Sequence, residues 1–82
     1  MESPQIDYPC SWVYKVIGQS ADGLQNAVAE VMGGEAHTLV PSNASRTGKY
    51  SSMRLEVVVR DEEHRVGIYA ALGEHDSVKI VL

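Results

Sequence analysis

The chain has 82 residues, of which 44 % are apolar and 22 % charged, and this composition is typical of one small globular domain and excludes extensive disorder. A formal net charge of −4 opposes binding to nucleic acid unless the seven Lys and Arg residues gather on one face. The single cysteine excludes an internal disulfide, and the absence of a leader-like start or of an apolar run of about 18 residues predicts a cytoplasmic protein without membrane contact.

The first residues differ in composition from the rest. Residues 1–9 contain two prolines and no apolar periodicity, so we predict a flexible tail there and a single domain over residues 10–82. The following segment SWVYKVI is rich in β-branched and aromatic residues and predicts the first strand, which ends at Gly18. Alternation gives this strand two faces, with Trp12, Tyr14 and Val16 on one and Val13, Lys15 and Ile17 on the other.

An amphipathic helix is predicted next, because apolar residues recur with a period of about 3.6. They are Leu24, Ala27, Val28, Val31 and Met32. Ser20 or Asp22 is suited to cap its start, and Gly33 and Gly34 to end it. The segment AHTLV then predicts a short strand that stops at Pro41, whose missing N–H suits the edge of a sheet.

The segment MRLEVVVR alternates strictly and predicts a further strand. Its inner residues are Met53, Leu55, Val57 and Val59, and its outer residues are Arg54, Glu56, Val58 and Arg60. A second helix follows, with Asp61 as N-cap and an end near Gly73. We expect its buried face to contain Val66, Tyr69, Ala70 and Gly73, with Ile68 and Leu72 beside them. The last strand, DSVKIVL, alternates Val78, Ile80 and Leu82 against Lys79 and Val81.

This order of elements, βαββαβ, predicts a ferredoxin-like α+β sandwich. Its four-stranded antiparallel sheet has the order 4-1-3-2, with both helices on one face. The expected inner face of the sheet comprises Trp12, Tyr14, Val16, Met53, Leu55, Val57, Val59, Val78 and Ile80. The other face is left open.

Three segments carry a resemblance to a known family. They are YKVIGQ, then Ser45 with GKYSS, then IYAALGEHDSVKIVL at the end of the chain. Together they resemble the YbeD-like family of small bacterial proteins, in register over about residues 9–82. Arg65 departs from the family pattern, which tends to be apolar at that position.

The resemblance implies a ferredoxin-like fold similar to ACT regulatory domains, which sense small metabolites. It implies no catalytic activity, and it carries the suggestion of a regulatory role connected with lipoate metabolism. By this resemblance Gly18 and Gln19, at the first strand-to-helix turn, become candidate contacts of a small ligand at a subunit interface. A tight turn that needs glycine is the alternative interpretation.

The polar segment SNASRTGKYSS, residues 42–52, first suggests a phosphate-binding loop. The motif fails, because Asn43 occupies the place of its first glycine, Tyr50 follows Lys49, and the segment leads into a strand rather than a helix. A polar hairpin loop with Gly48 at its turn is the favoured interpretation. The candidate ligand or partner contacts in this segment are Arg46, Gly48, Lys49, Tyr50 and Ser52.

No catalytic or metal-binding constellation is evident. The histidines, His37, His64 and His75, lack the spacing of a ligand pair, and Cys10 is distant from all of them in sequence. No group is marked as a base or an oxyanion donor for a cysteine nucleophile. We therefore expect neither an enzyme nor a cofactor or metal.

The open sheet face is the remaining candidate for function. It is predicted to expose Val13, Lys15, Ile17, Arg54, Glu56 and Val58, together with Lys79 and Val81. These apolar residues, and the unpaired edges of the second and fourth strands, favour contact with a partner protein or a second copy of the chain. An ordinary solvated face is the alternative.

The sequence thus predicts a non-catalytic regulatory or protein-interaction module, with a small metabolite as a further candidate ligand. The competing hypothesis is a single-stranded RNA-binding module that uses the open face, because a basic-glycine-aromatic start to the third strand is typical of RNA-recognition motifs. Stacking of bases would depend on Tyr50, which would share the open face with Glu56.

Overall fold

The computed structural model describes residues 7–42 and 50–82. Within them the elements follow in the order β1 (Cys10–Gly18), α1 (Ala21–Met32), β2 (Thr38–Pro41), β3 (Ser51–Val59), α2 (Glu62–Glu74) and β4 (Ile80–Val81). The strands form one antiparallel sheet in the order β2-β3-β1-β4. The predicted ferredoxin-like fold and its strand order are confirmed.

Both helices begin where the sequence places their caps. The Ser20 hydroxyl accepts a 3.0 Å hydrogen bond from the Gly23 N–H, and the Asp61 carboxylate accepts one of 2.7 Å from the His64 N–H. Gly33 ends α1 with a φ of 60°, in the left-handed region that favours glycine. These caps satisfy N–H groups that the first turn of a helix leaves unpaired.

The core lies between the helices and the inner face of the sheet. Its buried apolar residues on the strands are Tyr14, Val16, Met53, Leu55, Val57 and Val59, and those on α1 are Leu24, Ala27, Val28 and Met32. No polar or charged residue of the described chain is fully buried. Most of the tail predicted over residues 1–9 lies outside the described residues, but Tyr8 is half-buried and packs against the core.

The predicted buried face of α2 is wrong. The buried residues of this helix are Ile68 and Leu72, whereas Val66 and Tyr69 are 48 % and 50 % exposed. Apolar residues occur on more than one side of α2, so its periodicity does not decide which side faces the sheet. The Tyr14 hydroxyl bonds to the Arg65 carbonyl and so helps to orient the helix.

The predicted alternation of the last strand is also wrong. Val81 lies opposite Val16 of the inner face and packs against the core, and Ile80, opposite Ile17, is 50 % exposed. Val78 is buried as expected, but it lies before the strand, where its N–H closes a turn on the His75 carbonyl. The strand is therefore shorter than DSVKIVL, and its side chains alternate in the opposite sense.

The ends of the middle strands differ by a few residues from the prediction. β2 begins at Thr38 and includes Pro41, and β3 begins at Ser51 rather than at Met53. Within the described ranges, neither helix combines the length and apolarity needed to cross a membrane.

Candidate interaction surfaces

We use the name outer face for the side of the sheet that the helices leave open. Its strand residues, given by the alternation and register of the strands, are Ser11, Val13, Lys15, Ile17, Thr38, Val40, Ser52, Arg54, Glu56, Val58 and Ile80. Val13, Val58 and Ile80 are 46 %, 60 % and 50 % exposed. The residues that the sequence assigns to the open face lie there, except Val81, whose place Ile80 takes, and Lys79, which precedes β4.

Two like charges lie side by side at the centre of the outer face. Lys15 of β1 is directly opposite Arg54 of β3, and both side chains are exposed. No ion pair within residues 7–42 and 50–82 involves either residue. Glu56 lies opposite Val13 in the neighbouring row. Like charges directly opposite each other destabilise a sheet. The pair therefore lowers the stability of the fold, and core packing does not require it because both side chains are exposed.

Aromatic side chains are absent from the strand positions of the outer face described above. Tyr50 comes immediately before β3 and is 45 % exposed. A single tyrosine provides less stacking area than the two or three aromatic residues that an RNA-recognition motif places on its sheet.

The polar segment joins β2 and β3, which pair in antiparallel fashion. The Ser42 N–H donates a 2.8 Å hydrogen bond to the Ser52 carbonyl, in line with the predicted hairpin. Of the candidate contact residues in this loop, Arg46, Gly48 and Lys49 lie outside the described residues. Ser52 lies in β3 opposite Ile17, and its buried hydroxyl oxygen has no hydrogen-bond partner in the described part of the chain.

Gly18 is buried at the end of β1, where the segment after α2 passes close to it. A Cβ atom at this position would overlap the Ser77 carbonyl oxygen and stand 2.9 Å from Leu24 Cδ2. Glycine is thus needed for the packing of the chain on itself. This geometry supports the turn interpretation of Gly18 rather than a direct ligand contact.

Gln19 borders a small polar cavity at the same turn. The cavity has a volume of about 190 Å³ and is lined by Gln19, Ser20, Asp76, Ser77 and Lys79. It therefore combines one acidic and one basic side chain with hydroxyl and amide groups. Gly18 allows the wall formed by Ser77 to approach β1.

A second cleft, which we call the edge cleft, lies between α2 and β1. It has a volume of about 300 Å³ and is lined by Trp12, Tyr14, Arg65, Val66, Tyr69 and Leu82. The guanidinium carbon of Arg65 lies 4.6 Å from the centre of the Trp12 ring, within the range of a cation–π interaction. The edge cleft was not predicted from the sequence. The only feature of the cleft that the sequence analysis had noted is the charged residue at position 65.

Hydrogen bonds fix the groups around the edge cleft. The Arg65 Nε donates a 3.0 Å hydrogen bond to the Tyr8 hydroxyl, and this bond is the main cause that raises the pKa of Arg65. The Tyr14 hydroxyl donates one of 2.7 Å to the Arg65 carbonyl. Burial raises the pKa of Tyr14 above its usual value, although the nearby Arg65 charge opposes the shift.

Two of the histidines, His64 and His75, contact carboxylates of the first helix and its following turn. His64 Nε2 lies 3.1 Å from Glu35 Oε1, and His75 Nε2 lies 2.5 Å from Glu30 Oε2. Among residues 7–42 and 50–82, no group of three or more His, Cys, Asp or Glu side chains has the arrangement of a metal site. Each pair connects α1, or the turn after it, with one end of α2.

The geometry defines a small ferredoxin-like α+β domain with an exposed sheet face and surface clefts. The chain belongs to the family described as "Protein of unknown function (DUF493)", whose pattern matches residues 3–82. The resemblance to the YbeD-like family is confirmed.

Similar proteins occur in several bacteria. A "UPF0250 protein" of Hahella chejuensis is 34 % identical over 85 residues, a match that covers 99 % of this chain and 93 % of the relative. An "Uncharacterized protein Cj0253" of Campylobacter jejuni is 35 % identical over 71 residues, covering 87 % of this chain and 82 % of the relative. These names identify the family without assigning a biochemical activity.

A solved structure supports the same fold. The solution structure of protein HP0495 from Helicobacter pylori is similar to this chain with a TM-score of 0.83 and 28 % identity, covering 99 % of this chain and 89 % of that one. A further solution structure of HP0495 gives a TM-score of 0.69, with coverage of 100 % and 95 %.

Proposed function

We propose that this protein is a non-catalytic interaction module whose outer face binds an acidic surface of a partner protein. The observation that carries the proposal is the Lys15–Arg54 pair. Two adjacent cations without an ion pair in the described structure offer a partner carboxylate two donors at once, so charge complementarity would fix its position.

The apolar residues around this pair would supply the buried part of the interface. Val13, Val58 and Ile80 each expose about half of their surface, and antiparallel strands offer a flat support for packing. Protein interfaces combine such apolar patches with a polar rim. A partner covering the outer face would also compensate the repulsion between Lys15 and Arg54.

Single-stranded RNA is the competing occupant of this face. It would use the same two cations, but a net charge of −4 opposes it, and the described strand positions of the outer face offer no aromatic side chain for stacking. These observations favour a protein as the partner of the outer face. RNA binding is one possible outcome of the experiment below.

The test of outer-face binding compares the same substitution at two arginines, one on the outer face and one beyond the end of β3. Arg54→Glu changes the outer face. Arg60→Glu makes the same change of charge just beyond β3, at a side chain that is 73 % exposed and lies 3.9 Å from Glu35. Cells expressing each tagged variant are cross-linked, and captured proteins are quantified and then titrated as purified partners.

A partner whose affinity falls at least about tenfold with Arg54→Glu and is unchanged with Arg60→Glu supports the proposal. Equal capture by both variants contradicts it. Salt-sensitive binding of single-stranded RNA that Arg54→Glu abolishes, with no protein showing this dependence, would assign the outer face to RNA instead.

We propose as a second candidate function the binding of a small zwitterionic metabolite in the cavity beside Gln19. Asp76 and Lys79 line this cavity together, and they would pair with the amino and carboxylate groups of an amino acid. A volume of about 190 Å³ lies below the range of about 300 to 1,000 Å³ of drug-sized ligand sites, so the ligand would be small.

A thermal-shift screen tests this second candidate with amino acids, nucleotides and lipoyl compounds, because any ligand selective for the native state raises its stability. The expected hit is an amino acid whose shift disappears in Lys79→Gln and in Asp76→Asn. No shift with any amino acid, or a shift that both variants retain, would remove the cavity from consideration.

A further inference from the structure

Among the residues that the structure describes, β1 has pairing partners along only part of one side. It pairs with β3 from Cys10 to Gly18, whereas its pairing with the β4 side covers only Lys15 to Ile17. The last bonds on that side join Lys15 and Leu82 in both directions, at 3.1 and 2.8 Å. No described residue pairs with this side of β1 from Cys10 to Tyr14, a segment that we call the open edge.

The alternation of the strand shows which backbone groups the open edge exposes. The N–H and C=O groups of a strand residue point to the same side, and the side alternates from one residue to the next. Lys15 and Ile17 bond toward β4, so Ser11 and Val13 direct their N–H and C=O groups toward the open edge. Trp12 and Tyr14 direct theirs toward β3.

A proline interrupts the opposite edge of the sheet, whereas none interrupts the open edge. Ser42 bonds to Ser52 of β3, so the alternation directs the backbone groups of Leu39 and Pro41 away from the sheet on the β2 side. Pro41 has no N–H to offer there, and proline is a common means of blunting an edge strand. The segment from Cys10 to Tyr14 contains no proline.

We infer that the open edge pairs with the same segment of a second copy of this chain. With Ser11 opposite the partner's Val13, and Val13 opposite the partner's Ser11, every exposed N–H and C=O group of these residues meets a complementary group. The pairing is antiparallel and has a two-fold axis between the two copies of Trp12. Such self-complementary contacts are the commonest form of protein dimer.

The limits of the open edge match this arrangement. In this register Cys10 lies opposite the partner's Tyr14. The preceding residue, Pro9, reaches the level of the partner's Lys15 and lies beside the partner's Leu82. Pro9 has no N–H, and the backbone groups of Lys15 at that level are already bonded to Leu82. The dimer ladder therefore ends where the pairing with the β4 side begins. Pro9 and Leu82 are both exposed and would contact each other.

The edge cleft supplies the apolar part of the dimer contact. On the inner side, an added strand would bring the partner's Trp12 beside the cleft, whose rim exposes Val66, Tyr69 and Leu82. Aromatic pairs across antiparallel strands stabilise a sheet. Because the contact uses the edge of the sheet, it leaves the outer face of both copies free, and the inference does not depend on the proposed function.

Hydrogen exchange at each backbone amide tests the pairing in the unaltered protein. In a dimer, the amides of Ser11 and Val13 become protected as the protein concentration rises from about 10 μM to about 1 mM, over the same range in which sedimentation shows a dimer. The amides of Trp12 and Tyr14 are protected at all concentrations, because they bond to β3. Rapid exchange of Ser11 and Val13 at 1 mM would overturn the inference.

A pair of variants at Ser11 provides a second test. Ser11→Pro removes the N–H that faces the partner, and Ser11→Ala removes the exposed hydroxyl but keeps the N–H. We expect Ser11→Pro to raise the dimer dissociation constant at least about tenfold, and Ser11→Ala to leave it within about threefold. Protection of Trp12 and Tyr14 verifies that Ser11→Pro is folded. A dimer that Ser11→Pro does not weaken, or a monomer at every concentration, contradicts the inference.

Discussion

The Tyr14 hydroxyl donates a 2.7 Å hydrogen bond to the carbonyl oxygen of Arg65 and so joins the centre of β1 to α2. The side chain of Arg65 strengthens the same junction, because it lies over the Trp12 ring and donates to the Tyr8 hydroxyl. A charged residue at a half-buried position of α2 is thus accommodated by aromatic partners.

Tyr14→Phe removes this hydrogen bond and keeps the aromatic ring. We expect the free energy of unfolding to fall by about 0.5 to 1.5 kcal/mol, because the Arg65 carbonyl loses its donor while the core packing is unchanged. Urea denaturation at neutral pH measures the change. Tyr69→Phe, at a half-exposed tyrosine, is the matched control and should alter the stability by less than about 0.5 kcal/mol. Equal effects of the two variants would contradict the role given to Tyr14.

The raised pKa of Tyr14 also makes stability depend on alkaline pH. Burial is the main cause of the shift, so the folded protein retains the Tyr14 proton at a pH where the unfolded chain, with a tyrosine pKa of about 10, releases it. The contribution is fully present below about pH 10 and is lost as the pH rises through the folded-state pKa. The free energy of unfolding, measured by denaturation at several pH values between 8 and 11, should therefore fall less steeply with pH for Tyr14→Phe than for the wild type. Parallel curves would contradict this expectation.

Arg65→Lys tests whether the guanidinium group is specifically required. Lysine keeps the charge but cannot reproduce both the stacking on Trp12 and the Nε bond to Tyr8, so we expect a loss of about 0.5 to 2 kcal/mol. Trp12 is the only tryptophan of the chain, and its fluorescence reports directly on the change. Arg65→Leu places an apolar side chain beside the Trp12 ring and should lose less stability than Arg65→Lys. The reverse order would show that charge alone matters here.

Two glycines with contrasting surroundings allow a matched comparison. Gly18→Ala places a Cβ against the Ser77 carbonyl and the Leu24 side chain, so the backbone must move, at a cost of about 1 to 3 kcal/mol. Gly67, inside α2, has no neighbouring atom within 4 Å of the point where a Cβ would lie, and Gly67→Ala should stabilise the helix by about 0.5 to 1 kcal/mol. Thermal unfolding of both variants checks the two signs, and destabilisation by Gly67→Ala would contradict the second.

The fold could be predicted from the sequence because local signals agree along most of the chain. The alternation of β1 and β3, the caps Ser20 and Asp61, and the apolar stripe of α1 all appear in the structure where they were expected. The face of α2 could not be predicted, because its apolar residues encircle the helix and tertiary contacts decide its rotation. The side chains of β4 could not be predicted either, because the turn before it shifts the alternation by one residue.

The candidate surfaces, too, could be predicted from the sequence only in part. The outer face follows from the period of two, so its composition could be predicted, but the direct opposition of Lys15 and Arg54 depends on the register between β1 and β3. The open edge depends on the register between β1 and β4, which places Leu82 opposite Lys15. Both surfaces thus require information on pairing that one sequence does not contain.

The Lys15–Arg54 pair leads to a prediction in which stability and binding change in opposite directions. Lys15→Thr removes the repulsion and introduces a residue that favours strands, so the free energy of unfolding should rise by about 0.2 to 0.5 kcal/mol. The gain should shrink in high salt, because exposed charges are screened. Lys79→Thr is the matched control, because Lys79 lines its cavity with Asp76 and with no second cation, so its removal relieves no repulsion there. Partner affinity should fall for Lys15→Thr alone. A variant that gains no stability at low salt, or that gains stability and binds as well as the wild type, would show that the two cations are not kept for binding.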